Sequence, residues 1–282
     1  MFTLGIATYD DYDGLYFTVQ SARIYHPDIK EVVIIDNNPN SNHGKFAKQL
    51  SNWQDESFKI NYIPYAKKQG TSVRNKIFEY AKQDYVIVAD SHVLFLPNSV
   101  SNLKEFYLND SKPYDFIQGP MMYDNCKTYS THLDPVWRSN FFGVWSTRFS
   151  EEKYFEIPSM GLGVFSCKKN EWLGFNNLFR GFGGEEGYIH EKYKMNGGRC
   201  ICLQGFKWLH RFNRPNGIPF RNVLEDRCFN YFIGRLELNK DYMDVANHFS
   251  KVGLNKEIVQ NCFNEAYFYF YQKLPEKLLE LN

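Results

Sequence analysis

The first ninety residues alternate between two hydrophobic rhythms. Residues 3–8 form a short apolar run, and residues 14–26 place Leu15, Val19 and Ala22 at helical spacing before Pro27 stops the pattern. Glu31–Asp36 is a β-branched run closed by an acid, and Asn37-Asn38-Pro39-Asn40 reads as a turn. A helix is expected near 43–52, a strand over Phe58–Ile63, and a helix over Thr71–Lys82 with Thr71 or Ser72 as its N-cap. Residues 85–89 make a fourth strand. Such alternation predicts an α/β fold with a parallel sheet flanked by helices on both faces. Ligands of such sheets bind at the carboxyl ends of the strands. Thr8, Asp36 and Asp90 all fall at those ends.

The second half is less periodic. Residues 121–155 are crowded with Tyr, Trp, Phe, His and Arg, and read as long loops and short strands over a cleft. Residues 159–167 are small and apolar, a helix-like turn starts at Glu171–Leu173, and Gly181–Glu186 reads as a loop before a helix at 187–195. Arg199–Leu203 is a short strand. Residues 211–222 carry two prolines and three arginines, which suits a mobile loop. Residues 223–282 have a mostly helical pattern, with aromatics clustered at Tyr267–Tyr271. No linker separates this tail, so the division is a domain over 1–222 and a helical extension over 223–282 packed on the same globular unit.

Bulk properties narrow the function only slightly. The chain has 282 residues and a formal net charge of +1, so no field over the whole surface selects a polyanion. Aromatics reach 18%, enough to build a large core and also line a cleft. The six cysteines show no CxxC spacing, and reduced thiols are the expectation. The N-terminus has no basic region or cleavage signature and no apolar run suits a bilayer span, so a cytoplasmic protein is expected.

Val86-Ile87-Val88-Ala89-Asp90-Ser91-His92 carries the most chemistry. A buried strand has no packing need for an acid and an imidazole at its end. Asp90 and His92 are two positions apart and point the same way on extended backbone. They can therefore offer a carboxylate oxygen and a ring nitrogen to one metal ion; the alternative is a strand capped by a polar turn. The other segments decide between these. Gly70-Thr71-Ser72-Val73-Arg74-Asn75, Pro158–Phe165, Gly183-Gly184-Glu185 and Gly197-Gly198 with Cys202 follow in order, and then His210. With Asp90-Ser91-His92 they resemble the GT-A glycosyltransferases, above all the catalytic domain of the polypeptide N-acetylgalactosaminyltransferases, over roughly residues 3–215.

The resemblance implies a GT-A, Rossmann-like and mostly parallel central sheet. It also implies that His210 completes a metal site with Asp90 and His92. The chain departs from the family pattern at Glu186, Tyr188 and Asn213, and only helical sequence stands where that family usually has a lectin domain. A carboxylate–imidazole ligand set favours Mn²⁺, with Mg²⁺ able to substitute. The ion would neutralise the diphosphate of a UDP-sugar donor as the glycosidic bond breaks. Thr8 and Asp36 would hold the nucleoside, Ser91 would line the nucleotide, and Arg74 would approach it or brace Asp90. Arg211, Arg214 and Arg221 would form a cationic lid over the diphosphate. Trp208 is a weaker donor-site candidate, and no role is assigned to Trp137 or Trp145.

Glu185 is expected beside the donor sugar, with Glu186 as runner-up. The resemblance implies retention; an inverting reaction would instead use one of these acids as general base. The acceptor hydroxyl stays open between a protein, a glycan and a hydroxymethylated pyrimidine in DNA. For the DNA option, Lys207, Arg211, Arg214, Arg221 and Arg227 would form a basic rim. Two rivals are a metal-dependent nuclease or phosphohydrolase, which needs more carboxylates near Asp90, and a non-catalytic binding module on the same fold.

Overall fold

The computed structural model describes residues 1–67, 70–213 and 217–272. The first half runs β1 (Phe2–Thr8), α1 (Tyr12–Tyr25), β2 (Ile29–Asp36), α2 (Asn42–Gln49), β3 (Lys59–Pro64), α3 (Asn75–Tyr80) and β4 (Tyr85–Asp90). Next come β5 (Val93–Phe95), α4 (Ser99–Asn109), β6 (Phe116–Gln118), β7 (Met121–Met122), β8 (Tyr129–Ser130), β9 (His132–Arg138), β10 (Phe141–Ser146), β11 (Tyr154–Glu156) and β12 (Val164–Lys168). The chain then continues through α5 (Glu185–Met195), β13 (Cys200–Leu203), β14 (Trp208–His210), α6 (Leu224–Glu237), α7 (Met243–Phe249) and α8 (Lys256–Tyr271).

The main sheet has eight strands in the order β11-β13-β6-β12-β4-β1-β2-β3. The half β4-β1-β2-β3 is parallel throughout, as the alternating pattern requires. β12 enters antiparallel to β4, so the sheet as a whole is mixed. Consecutive residues of β1, β2 and β4 are buried, which means both faces of the sheet are covered. Phe2, Phe116 and Phe165 are fully buried in this core. Burial of each such side chain stabilises the fold by about 1.5–3 kcal/mol.

Register places the chemistry. Thr8 pairs with Asp36 and Ala7 with Asp90, so three strands end on one line. The turn before antiparallel β12 reaches the same line, where the Asp90 N–H donates to the Gly163 carbonyl at 2.8 Å. A second sheet, β5-β14-β7-β8, stands beyond this edge, and its pairing sets His210 opposite Val93, next to His92. The Arg211 N–H closes the register on the His92 carbonyl at 3.2 Å.

Several expectations need correction. The single helix over Thr71–Lys82 is a 3₁₀ turn at Thr71–Arg74 followed by the short α3. Neither Thr71 nor Ser72 caps it; Gly70 stands at that position with φ of +124°, and the Thr71 hydroxyl goes to Glu185 instead. Glu185 and Glu186 are the first turn of α5 rather than loop residues. The stretch 121–155 is more ordered than expected, because β9 and β10 form an antiparallel hairpin. Helix α4 was not anticipated. The extension folds as α6, α7 and α8, with Gln272 closing α8; residues 273–282 lie outside those described.

Candidate active site

A cavity of about 810 Å³ opens at the carboxyl ends of β1 and β4. Thr8, Asn37, Arg74, Asp90, His92 and His210 all reach its wall, as do Glu185 and Glu186. The ends of β1, β2 and β4 deliver Thr8, Asn37 and Asp90, the turn after β4 delivers His92, the end of β14 delivers His210, and the 3₁₀ turn before α3 delivers Arg74. The α5 N-terminus delivers the two glutamates.

Asp90, His92 and His210 present ligand atoms that all lie within 4.8 Å of one another. The His92 and His210 Nε2 atoms are 3.3 Å apart, and Asp90 Oδ2 is 3.9 Å from the first and 3.8 Å from the second. Two donors about 2.1 Å from one cation and at right angles to each other sit about 3 Å apart. The three residues therefore fit a divalent ion with a small inward movement of Asp90. Gly163 allows this packing: a Cβ there would lie 2.8 Å from the Trp208 ring and 3.2 Å from the His210 ring.

Charged neighbours hold the three residues. Burial alone would raise the Asp90 carboxyl, but the Arg74 guanidinium and the two imidazoles outweigh it and keep the group below the usual carboxylate range. Arg74 Nη2 donates to Asp90 Oδ1 at 2.9 Å, so this arginine braces the metal-ligand candidate. Asp11 was missed by the sequence reading. Its Oδ2 is 2.9 Å from His92 Nδ1 and accepts from the Ser91 hydroxyl at 2.8 Å, while its Oδ1 accepts from Arg211 Nη2 at 3.0 Å. A carboxylate on the far ring nitrogen fixes the orientation of a metal-binding imidazole. Burial raises Asp11 too, yet the bonds from His92 and Ser91 and the Arg211 charge pull it below its ordinary value. The available signal was an acid just past β1, which also caps α1 through the Gly14 N–H.

Glu185 is 1% exposed. Its Oε1 accepts from the Thr71 hydroxyl at 2.7 Å and sits 4.0 Å from Arg74 Nη1, too far for a hydrogen bond. Glu185 Oε2 and Arg74 Nη1 are buried without hydrogen-bond partners. A buried acceptor and a buried donor at one wall suit a ligand carrying hydroxyls and oxygens. Burial, and next the Glu185 charge, push Glu186 well above the ordinary carboxylate range.

The remaining candidates divide. Thr8 lies at the wall, but the Asp36 carboxylate turns away to accept from the Tyr62 hydroxyl at 2.6 Å and the Asn38 N–H at 2.9 Å. Asn37 reaches the cavity beside it. Burial, opposed by those bonds, raises Asp36. Ser91 lines the cavity with its hydroxyl on Asp11, and Trp208 is buried at the wall with its Nε1 donating to the Gly119 carbonyl at 2.9 Å. Arg211 pairs with Asp11, Arg221 pairs with Asp226 at 2.6 Å, and Arg214 lies outside the described residues. Trp145, to which no role was assigned, lines the cavity over Gly161, where a Cβ would meet its ring at 2.5 Å. Trp137 is elsewhere, stacked on His248 at 4.1 Å between ring centroids.

The same architecture recurs in solved glycosyltransferases. A structure of GalNAc-T7 with UDP, GalNAc and Mn²⁺ superposes with a TM-score of 0.67 at 15% identity, covering 97% of this chain and 57% of that one. The chain thus spans little more than half of that protein. TarS residues 1–349 from S. aureus, with UDP-GlcNAc, gives 0.56 at 14% identity over 95% of this chain and 73% of that one. The Pyrobaculum calidifontis mannosyltransferase PcManGT, with GDP-Man and Mn²⁺, gives 0.54 at 11% identity over 96% and 75%. These likenesses establish the GT-A fold. No curated protein sequence matches the chain. Residues 3–167 match glycosyl transferase family 2, more than half of the molecule and every strand from β1 to β12 apart from the first residue of β1 and the last of β12. On that match, and with the fold in agreement, the chain belongs to glycosyl transferase family 2.

Proposed function

We propose that the protein is a metal-dependent glycosyltransferase that moves a hexose or N-acetylhexosamine from a UDP-sugar to a hydroxyl acceptor. The observation that carries this reading is the convergence of Asp90, His92 and His210 within 4.8 Å at the wall of the cavity. Those three residues would hold Mn²⁺, or Mg²⁺ in its place. When bound, the ion would offset charge developing on the leaving diphosphate. Arg74 keeps Asp90 ionised, and Asp11 holds His92 by Nδ1 so that its Nε2 faces His210 and Asp90, where it would ligate the ion. Thr8 and Asn37 stand where a nucleoside would enter, at the ends of β1 and β2. Glu185 would accept sugar hydroxyls through Oε2.

Retention follows from the resemblance: the acceptor attacks on the leaving-group face, the departing phosphate takes its proton, and Glu185 orients the sugar. A second reading rests on Glu186. Its raised proton affinity and its place on the cavity wall suit a general base, which would give inversion. The anomeric configuration of the product, read by NMR, separates the two.

For the acceptor, the paired state of the rim favours a neutral hydroxyl compound over DNA. Arg211 is tied to Asp11 and Arg227 is 2% exposed, so two of the five rim cations offer little to phosphates. The glycan alternative fits Trp145, whose ring reaches the cavity. The test is nucleotide release from a panel of UDP- and GDP-sugars, with and without Mn²⁺. Metal-dependent release from a UDP-sugar, lost in Asp90→Ala, is expected. Release from GDP-sugars alone, or release indifferent to metal, would contradict the reading.

A further inference from the structure

The family match ends at residue 167, yet one wall of the cavity is shaped by α6, far beyond it. Asn230 on α6 is fully buried. Its Oδ1 accepts the Arg180 N–H at 2.9 Å, and its Nδ2 donates to the Arg180 carbonyl at 2.7 Å and the Gly183 carbonyl at 2.9 Å. One amide side chain therefore fixes both ends of the turn that leads into Glu185. The turn has little regular backbone structure of its own. Gly181, Gly183 and Gly184 have φ of +55°, +103° and +97°. Glycine in that region has many alternative conformations.

Packing closes the turn from both sides. A Cβ on Gly183 would lie 2.3 Å from Arg227 Nε, and one on Gly70 would lie 2.7 Å from the Gly181 carbonyl. The Thr71 N–H donates to that same carbonyl at 3.2 Å, while the Thr71 hydroxyl holds Glu185. Asp226 on α6 takes Arg180 Nε at 3.3 Å. The turn is thus gripped between the Gly70–Thr71 segment and the Asp226–Arg227–Asn230 face of α6.

We propose that Asn230 is a positioning residue for sugar transfer, holding the Arg180–Gly184 turn so that the Glu185 carboxylate faces the donor sugar. The extension is then part of the catalytic apparatus. The effect is local: the Asn230 Oδ1 and both Nδ2 hydrogens are engaged by the Arg180–Gly183 turn. This inference rests on the function proposed above.

The test uses the full chain carrying Asn230→Ala, Asn230→Asp or, as a control on the same helix, Arg235→Ala, which breaks the Arg235–Asp244 pair and the Arg235 contact with the Phe142 ring but no bond to the turn. Asn230→Asp can still accept from Arg180 but sets an oxygen against two carbonyls. It keeps the experiment readable if the alanine variant fails to fold. Hydrogen exchange of the ligand-free protein is expected to quicken by about tenfold or more at residues 180–185 in the Asn230 variants and not in Arg235→Ala. Calorimetry with Mn²⁺ is expected to give UDP affinity within about threefold of wild type in all variants, while Asn230 variants lose the advantage of UDP-N-acetylglucosamine over UDP. Unchanged exchange at 180–185, or equal loss of UDP and UDP-sugar affinity, would overturn the inference. A wild-type protein that binds neither ligand would overturn the function itself, a separate outcome.

Discussion

At the scale of single residues, Glu186 gives the clearest measurable consequence. Burial and the Glu185 charge raise its proton affinity. A glutamate free in the unfolded chain titrates near ~4.3. Folding therefore takes up a proton between that value and the raised one, so stability is highest below this window and falls as pH rises through it. Glu186→Gln removes the cost of ionising a buried acid. It is expected to melt a few degrees above wild type at pH 8, by about 1 kcal/mol or more, with the gap closing toward pH 5. A gap that widens toward acid would contradict the assignment. Asp11 makes a second prediction. Asp11→Asn leaves the His92 ring without its anionic partner, and Mn²⁺ affinity, read by electron paramagnetic resonance, is expected to drop about 10–100-fold. An unchanged affinity would mean that the Asp11–His92 contact has no bearing on the metal.

At the scale of elements, the strands were legible and the cavity's supports were not. β1, β2 and β4 each carry an apolar run closed by a polar residue, and such runs declare a covered parallel sheet without outside help. Asp90 and His92 were legible as an acid and an imidazole at a strand end, but not for the reason of alternation: the strand stops at Asp90, and Ser91-His92 form the turn into β5. Thr71 was misread because a local rule made it a helix cap, whereas a carboxylate 114 positions away takes its hydroxyl. Asn230 and Asp11 were missed because their partners are backbone groups and imidazoles distant in sequence, and no periodicity encodes such pairs. Close approach between elements is equally hidden. Gly119 follows β6, and a Cβ there would lie 1.8 Å from the Phe206 carbonyl, just before β14. Gly119→Ala should therefore cost about 1–3 kcal/mol in urea unfolding. The shift should also loosen β14, which carries His210. A neutral effect would show that β14 can move away freely.

At the scale of the molecule, the fold converts one-dimensional order into a site by placing strand ends, a second sheet and a helix N-terminus around one cavity. The family match runs from β1 to β12, while α5, β13, β14 and the helices α6 to α8 lie beyond it. Among the described residues no helix is long and apolar enough to cross a membrane. The near-neutral charge gives DNA little support, and the pairing of Arg211 with Asp11 and the burial of Arg227 weaken that option further. If DNA is no acceptor, a fluorescent duplex at low salt, where phosphate contacts are strongest, should show no affinity. The central claim is that Asp90, His92 and His210 hold a divalent cation which in turn holds the nucleotide. Calorimetric titration of UDP into wild type and His210→Ala, in Mn²⁺ and in EDTA, tests it most directly. Binding to wild type in Mn²⁺, weakened about 100-fold or more by EDTA or by His210→Ala, is the predicted result. UDP binding of equal strength in EDTA, or undiminished in His210→Ala, would contradict it.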